Sequence, residues 1–312
     1  MFVRSLVIVL ALAVGSSARA DFVYLAVGDS SAFGETDRTH NPSNGDRGYV
    51  APFADYLGSR LGTRPAVINT AINGETSKSF FTGLVSDRAS TDGITLNSRY
   101  APFAPGYAIT QRDYMNSVID GALAQNRDIK FVTVQLGAND LSNVGDDPNF
   151  LALPPNAQAQ VVGQTIQTAA GNLSALLTDV RTKLPNAELY VIGYHNPYGG
   201  NPSHPLASLA APALQGLNQA IGAVGSAYGA KFVNFYPVIL GRERELTLID
   251  RYPADNINYV HLNPSGYAAV SRVLIDAAAD SPQLPPVPAP PAVILLALGA
   301  AGLGVRRRRR AA

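Results

Sequence analysis

Residues 26–35 read AVGDSSAFGE. They continue a short apolar run, FVYLAV at 22–27, whose β-branched and aromatic residues suit a strand buried on both faces. Gly-Asp-Ser-Ser at the end of a strand has two readings. It is a bare turn, built from small turn-prone residues. Or it is a nucleophile on a sharp strand-to-helix turn, with its hydroxyl held out of the fold. The other strand ends decide between them.

Similar apolar runs recur at 66–69 (AVIN), 130–136 (KFVTVQL), 188–193 (ELYVIG) and 231–235 (KFVNF). Helical patterns fill the gaps, at 48–61, 113–124, 157–184, 212–228 and 264–279. The longest repeats Val162, Ile166, Ala169, Leu173, Leu177, Val180 and Leu184 at three-to-four spacing. The last two are expected to begin at Pro212 and Pro264, since proline suits a first helical turn. This alternation predicts an α/β fold, a parallel sheet with helices on both faces and ligands at the carboxyl ends of the strands. The connection 75–112, rich in Ser, Thr, Gly and Pro, is long enough to serve as a lid or rim.

Four strand ends carry chemistry. Ser30 follows the first strand. The second runs into NTAINGETS, where Gly74 can present a backbone N–H to an anion with no side chain in the way. The third ends in GAND, where Asn139 can aim a side-chain amide at the same point. Near the C-terminus, NYVHLNPSGY sets His261 just before the last helix, where it can take a proton from a serine hydroxyl. Each has a structural alternative: a turn glycine at Gly74, an Asx turn at Asn139, a helix cap at Asp140, a surface histidine at His261. His195 and His204, in HNPYGGNPSHP, are expected as solvated loop residues at the rim.

Taken together, the four resemble the sequence blocks of the SGNH/GDSL hydrolases, a family of lipases and esterases. Ser30 matches the nucleophile in VGDSSAFG, Gly74 the glycine of NTAINGET, Asn139 the asparagine of GAND, and His261 the histidine of the last block. The resemblance spans nearly all of 22–275. It implies a flavodoxin-like three-layer α/β/α sandwich of five parallel strands, and ester hydrolysis that needs no metal or cofactor. By the same resemblance Ser30 attacks the carbonyl, His261 is the general base, and the N–H groups of Ser30 and Gly74 join the Asn139 amide as oxyanion donors. Ser31 does not hold the nucleophile's place. The last block normally reads Asp-x-x-His. Here Asn258 stands three residues before His261, and the nearest preceding carboxylate is Asp255. Asn258 is the favoured partner for the histidine, with Asp255 or a backbone carbonyl as the other acceptors.

Composition removes several classes. The 312 residues contain no cysteine, so disulfides, thiolate metal sites and a cysteine nucleophile are excluded. Neither HExxH nor metal-ligand histidine spacing occurs, and no P-loop or dinucleotide fingerprint follows a strand. Net charge is +1, and five of the positive charges are Arg306–Arg310, so the rest of the chain offers no basic surface for nucleic acid.

Both ends read as processing segments. Residues 1–20 combine Arg4, an apolar stretch and Ala18-Arg19-Ala20, the pattern of a signal peptide cleaved after Ala20. A proline-rich linker, 282–291, leads to an apolar and arginine-rich segment, 292–312. The layout resembles the PEP-CTERM sorting tails of Gram-negative bacteria, although Val287-Pro288-Ala289-Pro290 lacks the usual glutamate. That resemblance implies export across the inner membrane, handling by export and sorting machinery, and a periplasmic, surface or secreted destination. A plain C-terminal anchor is the alternative. The hydrolase domain is then 21–281.

The leading expectation is an exported serine esterase or lipase acting on an ester substrate. A carbohydrate esterase removing acetyl groups from extracellular polysaccharide uses the same residues, and Phe80, Phe81, Tyr100, Phe103 and Tyr107 would serve either an acyl pocket or sugar stacking. A catalytically silent surface binding module is the reading of another class.

Overall fold

The computed structural model describes residues 22–34, 47–83, 110–253 and 259–285. The expected signal peptide, most of the linker, the sorting segment, Asn258, Asp255, Tyr100, Phe103 and Tyr107 lie outside the described residues.

In chain order the elements are β1 (Phe22–Gly28), α1 (Ser30–Phe33), α2 (Val50–Leu61), β2 (Ala66–Asn69), α3 (Ser79–Thr82), α4 (Gln111–Ala124), β3 (Asp128–Gln135) and α5 (Ala138–Gly145). There follow α6 (Pro148–Leu151), α7 (Pro155–Lys183), β4 (Glu188–Ile192), α8 (Ala207–Ala227), β5 (Lys231–Val233), α9 (Tyr236–Ile239), α10 (Glu243–Leu246) and α11 (Pro264–Ala278). The five strands form one sheet in the order β2-β1-β3-β4-β5, every pair parallel. The order reverses direction between β1 and β3. That crevice, at the carboxyl ends of the strands, is where such sheets hold ligands.

The continuous apolar runs are explained by two cores. Val23, Leu25 and Val27 of β1 pack on one face with Met115 and Ile119 of α4, Leu173, Leu177 and Val180 of α7, and Leu217 and Ile221 of α8. Tyr24 and Ala26 point to the other face, with Phe53 and Leu57 of α2 and Val270 and Leu274 of α11. Each residue from Val23 to Val27 is fully buried, so no position of β1 needs a polar side chain. The one polar atom on it, Tyr24 Oη, hydrogen-bonds Thr133 Oγ1 at 2.8 Å. This is the three-layer α/β/α sandwich that the alternation predicts.

Helix ends follow local chemistry. α7 opens with Pro155 in its first turn and closes with Arg181 and Lys183, which suit the negative end of the helix dipole. The Asn263 side chain caps α11 by accepting from Gly266 N–H at 3.0 Å. Most boundaries fall within two residues of expectation, and the largest shift is at α8. α8 begins at Ala207, leaving Pro212 inside the helix. Strand β5 stops at Val233, because the chain turns at Asn234, whose side chain accepts from Tyr236 N–H at 3.2 Å. Among the described residues no helix is long and apolar enough to cross a membrane.

Candidate active site

β1 ends at Gly28, whose φ of +144° and packing leave no room for a side chain. A Cβ there would lie 2.0 Å from the carbonyl oxygen of Gln135 on β3. The chain then turns at Asp29, which caps α1: its Oδ1 accepts from Ser31 N–H at 2.9 Å. Ser30 is the first residue of that helix, so no backbone carbonyl one turn earlier takes its N–H. The strand-to-helix turn predicted from GDSS is present.

The same crevice forms a cavity with about 830 Å³ of empty space, part of it open to solvent. Asp29, Ser30 and Ser31 line it at the end of β1, Ala138 and Asn139 at the start of α5, Tyr194, His195 and Tyr198 after β4, and Val260 and His261 before α11. Three of the four predicted residues, Ser30, Asn139 and His261, therefore face one cavity. Apolar side chains make most of the remaining wall, among them Leu141 and Val144 of α5, Phe150 of α6, Val162 of α7, and Leu206 and Leu214 around α8.

Gly74 is not part of the cavity lining, but it is tied to it. Asn139 Nδ2 donates to the carbonyl of Glu75 at 2.9 Å, and Asp140 accepts from Ser77 N–H at 2.8 Å and Ser77 Oγ at 2.6 Å. Asp140 thus fastens the second loop to the third, rather than capping its own helix. Gly74 has a φ of +80°, a left-handed conformation that disfavours other residues, and a Cβ there would meet nothing within 4 Å.

Sequence reading missed the buried polar groups behind the site. Tyr194 Oη donates to Asp29 Oδ2 at 2.5 Å, and the Tyr194 backbone is held at both N–H and carbonyl by Asn218, each at 2.8 Å. Burial pushes the Asp29 carboxyl up from 3.8 to about 7, against the lowering effect of its bonds from Tyr194 and Ser31, with the Asp140 and Glu75 charges adding to the rise. His195 is buried, not a solvated rim residue. Burial, followed by the neighbouring His261, lowers its pKa from 6.5 to about 4, partly opposed by a hydrogen bond to the Val260 backbone. His204 is the rim residue of the two: its ring stacks on Tyr198 with centroids 3.9 Å apart. Phe80, expected at a substrate surface, is buried in the core against Phe81 instead. Among the described residues no group of three or more His, Asp or Glu side chains is placed to hold a metal ion.

Residues 26–269 match the model of the GDSL-like lipase/acylhydrolase family. The chain belongs to that family. It is an ester hydrolase. The fold of this GDSL-like hydrolase is shared by solved structures of low sequence identity. A lipase from a goat rumen metagenome is 18% identical with a TM-score of 0.54, over 82% of this chain and 97% of that one. Phospholipase A1 from Streptomyces albidoflavus NA297 is 17% identical with a TM-score of 0.52, over 82% of this chain and 99% of that one. A variant of an acetyl-xylooligosaccharide esterase from Geobacillus is 15% identical with a TM-score of 0.50, over 86% and 97%. A search of the curated proteins found no match.

Proposed function

We propose that this GDSL-like hydrolase cleaves carboxylic esters of aliphatic acyl groups through an acyl-enzyme on Ser30. One observation carries the reading: Ser30 after β1, Asn139 after β3 and His261 before α11 line one cavity whose remaining wall is largely apolar. His261 takes the Ser30 proton as the hydroxyl attacks the ester carbonyl, and the oxygen of the tetrahedral intermediate gathers negative charge. The Ser30 N–H, the Gly74 N–H and the second N–H of the Asn139 amide stabilise it; the first is engaged with Glu75. His261 returns the proton to the leaving alcohol, and water then releases the acid by the same steps in reverse roles.

The third member of the triad is assigned to Asn258, whose amide oxygen holds the imidazole N–H, as the corresponding asparagine does in papain-like enzymes. The acyl preference follows from the cavity. A wall of Leu, Val and Phe contributes nothing to an acetyl group that it would not contribute more to a longer chain. Deacetylation of polysaccharide is the competing outcome. The protein is exported by its signal peptide, and the tail after the linker is removed during sorting.

The test is hydrolysis of p-nitrophenyl esters from acetate to dodecanoate by residues 21–281, with Ser30→Ala beside wild type. The expected result is a preference for chains longer than acetate, and loss of several orders of magnitude in kcat in Ser30→Ala with the fold intact. Intact-mass measurement of exported protein should show Asp21 first and no arginine cluster. Retention of Arg306–Arg310 would mean simple anchoring.

A further inference from the structure

Gly28 has an unusual pair of partners. It sits at the end of a central strand, yet its N–H donates to the side chain of Gln111, at 3.0 Å to Oε1. Gln111 Nε2 returns a bond to the Gly28 carbonyl at 2.9 Å. The Gly28 carbonyl also accepts from the Ile72 N–H at 3.0 Å, so the primary amide of Gln111 replaces an adjoining strand only at the Gly28 N–H and is a second donor to its carbonyl. The same Nε2 also donates to Glu75 Oε2 at 2.9 Å. Glu75 Oε1 is bonded by Ser79 Oγ, and its backbone carbonyl accepts from Asn139. Gln111 and Glu75 are 1% and 0% exposed, so water does not compete for these bonds.

These two residues lie next to the proposed oxyanion donors. Gly28 is two residues before Ser30, and Glu75 directly follows Gly74. We propose that Gln111 is a positioning residue of the reaction: with Glu75 it clamps the turn that presents the Ser30 N–H to the loop that presents the Gly74 N–H. The inference rests on the oxyanion roles given above. A packed core holds such loops in place without buried polar groups, and burying an amide and a carboxyl is costly unless every bond is made. What this clamp adds is a fixed separation between donors that belong to loops 46 positions apart in sequence, as 74 and 28 are. Gln111 is also the first residue of α4.

The test replaces Gln111 by methionine, of similar length and without the amide. Active sites are counted by stoichiometric labelling with a phosphonate ester, so that kcat refers to folded enzyme only. Misplacing a donor lowers transition-state binding and leaves ground-state binding alone. The expected result is therefore a fall of roughly 10- to 100-fold in kcat with KM nearly unchanged. Glu75→Gln, which keeps an acceptor for Gln111 Nε2, should retain activity within about tenfold of wild type. A kcat per labelled site within about twofold of wild type in Gln111→Met would overturn the proposal.

Should Gln111→Met not fold, an exchange pair decides. Gln111→Glu sets two carboxyls against each other, and adding Glu75→Gln restores a donor between them. Recovery of at least about tenfold in the pair over Gln111→Glu alone supports the clamp, and no recovery contradicts it. Ser30→Ala is measured in parallel. If it stays active, Ser30 is not the nucleophile and the proposed function itself is wrong; if it is inactive while Gln111→Met is unimpaired, only the clamp fails.

Discussion

Tyr194 Oη donates to Asp29 Oδ2 at 2.5 Å, which turns the carboxyl next to the nucleophile inward. Its other oxygen is spent on Ser31 N–H. Asp29 therefore shapes the turn and is not the acid that orients His261. The aspartate in the sequence Gly-Asp-Ser is a cap, held by a tyrosine 165 positions away.

Asp29 and His195 make opposite contributions to stability across the same pH window. Asp29 has its folded pKa raised from 3.8 to about 7, so its contribution is present below 3.8 and lost as pH rises through 7. His195 has its folded pKa lowered from 6.5 to about 4, so its contribution is present above 6.5 and lost as pH falls through 4. In wild type the two slopes oppose each other. Relative to wild type, Asp29→Asn should show a thermal midpoint that rises from about pH 4 to about pH 7, and His195→Gln one that declines as pH rises from about 4 to about 6.5. Calorimetry at half-unit intervals checks this. Midpoints that run parallel to wild type in both variants would remove the argument.

Gly28→Ala should be among the most damaging single-methyl additions in the chain. The new Cβ would lie 2.0 Å from a backbone oxygen in a fully formed sheet, at a φ of +144°. Neither the strand nor Gln135 has room to give. A loss above about 3 kcal/mol is expected by urea denaturation, or no soluble protein at all. Gly74→Ala meets nothing within 4 Å, so its cost is that of the φ of +80° alone. About 1 kcal/mol is expected there, well below Gly28→Ala.

Most of the sheet was legible because burial on both faces writes continuous apolar runs. AVIN at 66–69 matches β2 residue for residue, and FVYLAV misses only the last position of β1. The start of α8 was not legible. Proline at 212 reads as a first-turn residue, but Ala210 and Ala211 precede it within a helix that began at Ala207. Inside the helix the ring leaves the Ser208 carbonyl without its intrahelical donor. At the site, Ser30, Asn139 and His261 each end a readable strand or precede a readable helix, so their meeting followed from topology. The Gln111–Glu75 and Tyr194–Asp29 pairs left no local signal. They join residues far apart in sequence, and only the three-dimensional packing brings them within bonding distance. His195 looked solvated because its neighbours are Asn, Pro and Gly; its burial comes from Phe235 and the His261 loop folding over it.

Filling the apolar wall should shorten the acyl preference. Ala213 lines the cavity from α8. Ala213→Trp is expected to lower kcat/KM for octanoate and longer esters by about tenfold or more, while acetate changes little, because one methylene in an apolar pocket is worth roughly 1–3 kcal/mol. Equal loss on all chain lengths would place the acyl chain elsewhere.

The orientation of His261 is tested by three variants of the preceding loop. With Asn258 as the partner, Asn258→Asp keeps or raises kcat, Asn258→Ala lowers it, and Asp255→Asn is mild. Collapse in Asp255→Asn, with Asn258→Ala near wild type, would transfer the role to Asp255. Loss of the proper tautomer costs about 10⁴ in a serine protease, so the outcomes are well separated.

The central claim is that Ser30 is the nucleophile, and covalent capture tests it most directly. The enzyme is incubated with an alkyl phosphonate ester, digested, and the labelled peptide sequenced by mass spectrometry. Ser30 and Ser31 share one peptide, so fragmentation must separate them. The account predicts one adduct per chain, on the Ser30 hydroxyl, formed in step with loss of esterase activity and absent from Ser30→Ala. An adduct on Ser31 or on any other residue, or undiminished labelling and turnover in Ser30→Ala, would contradict it.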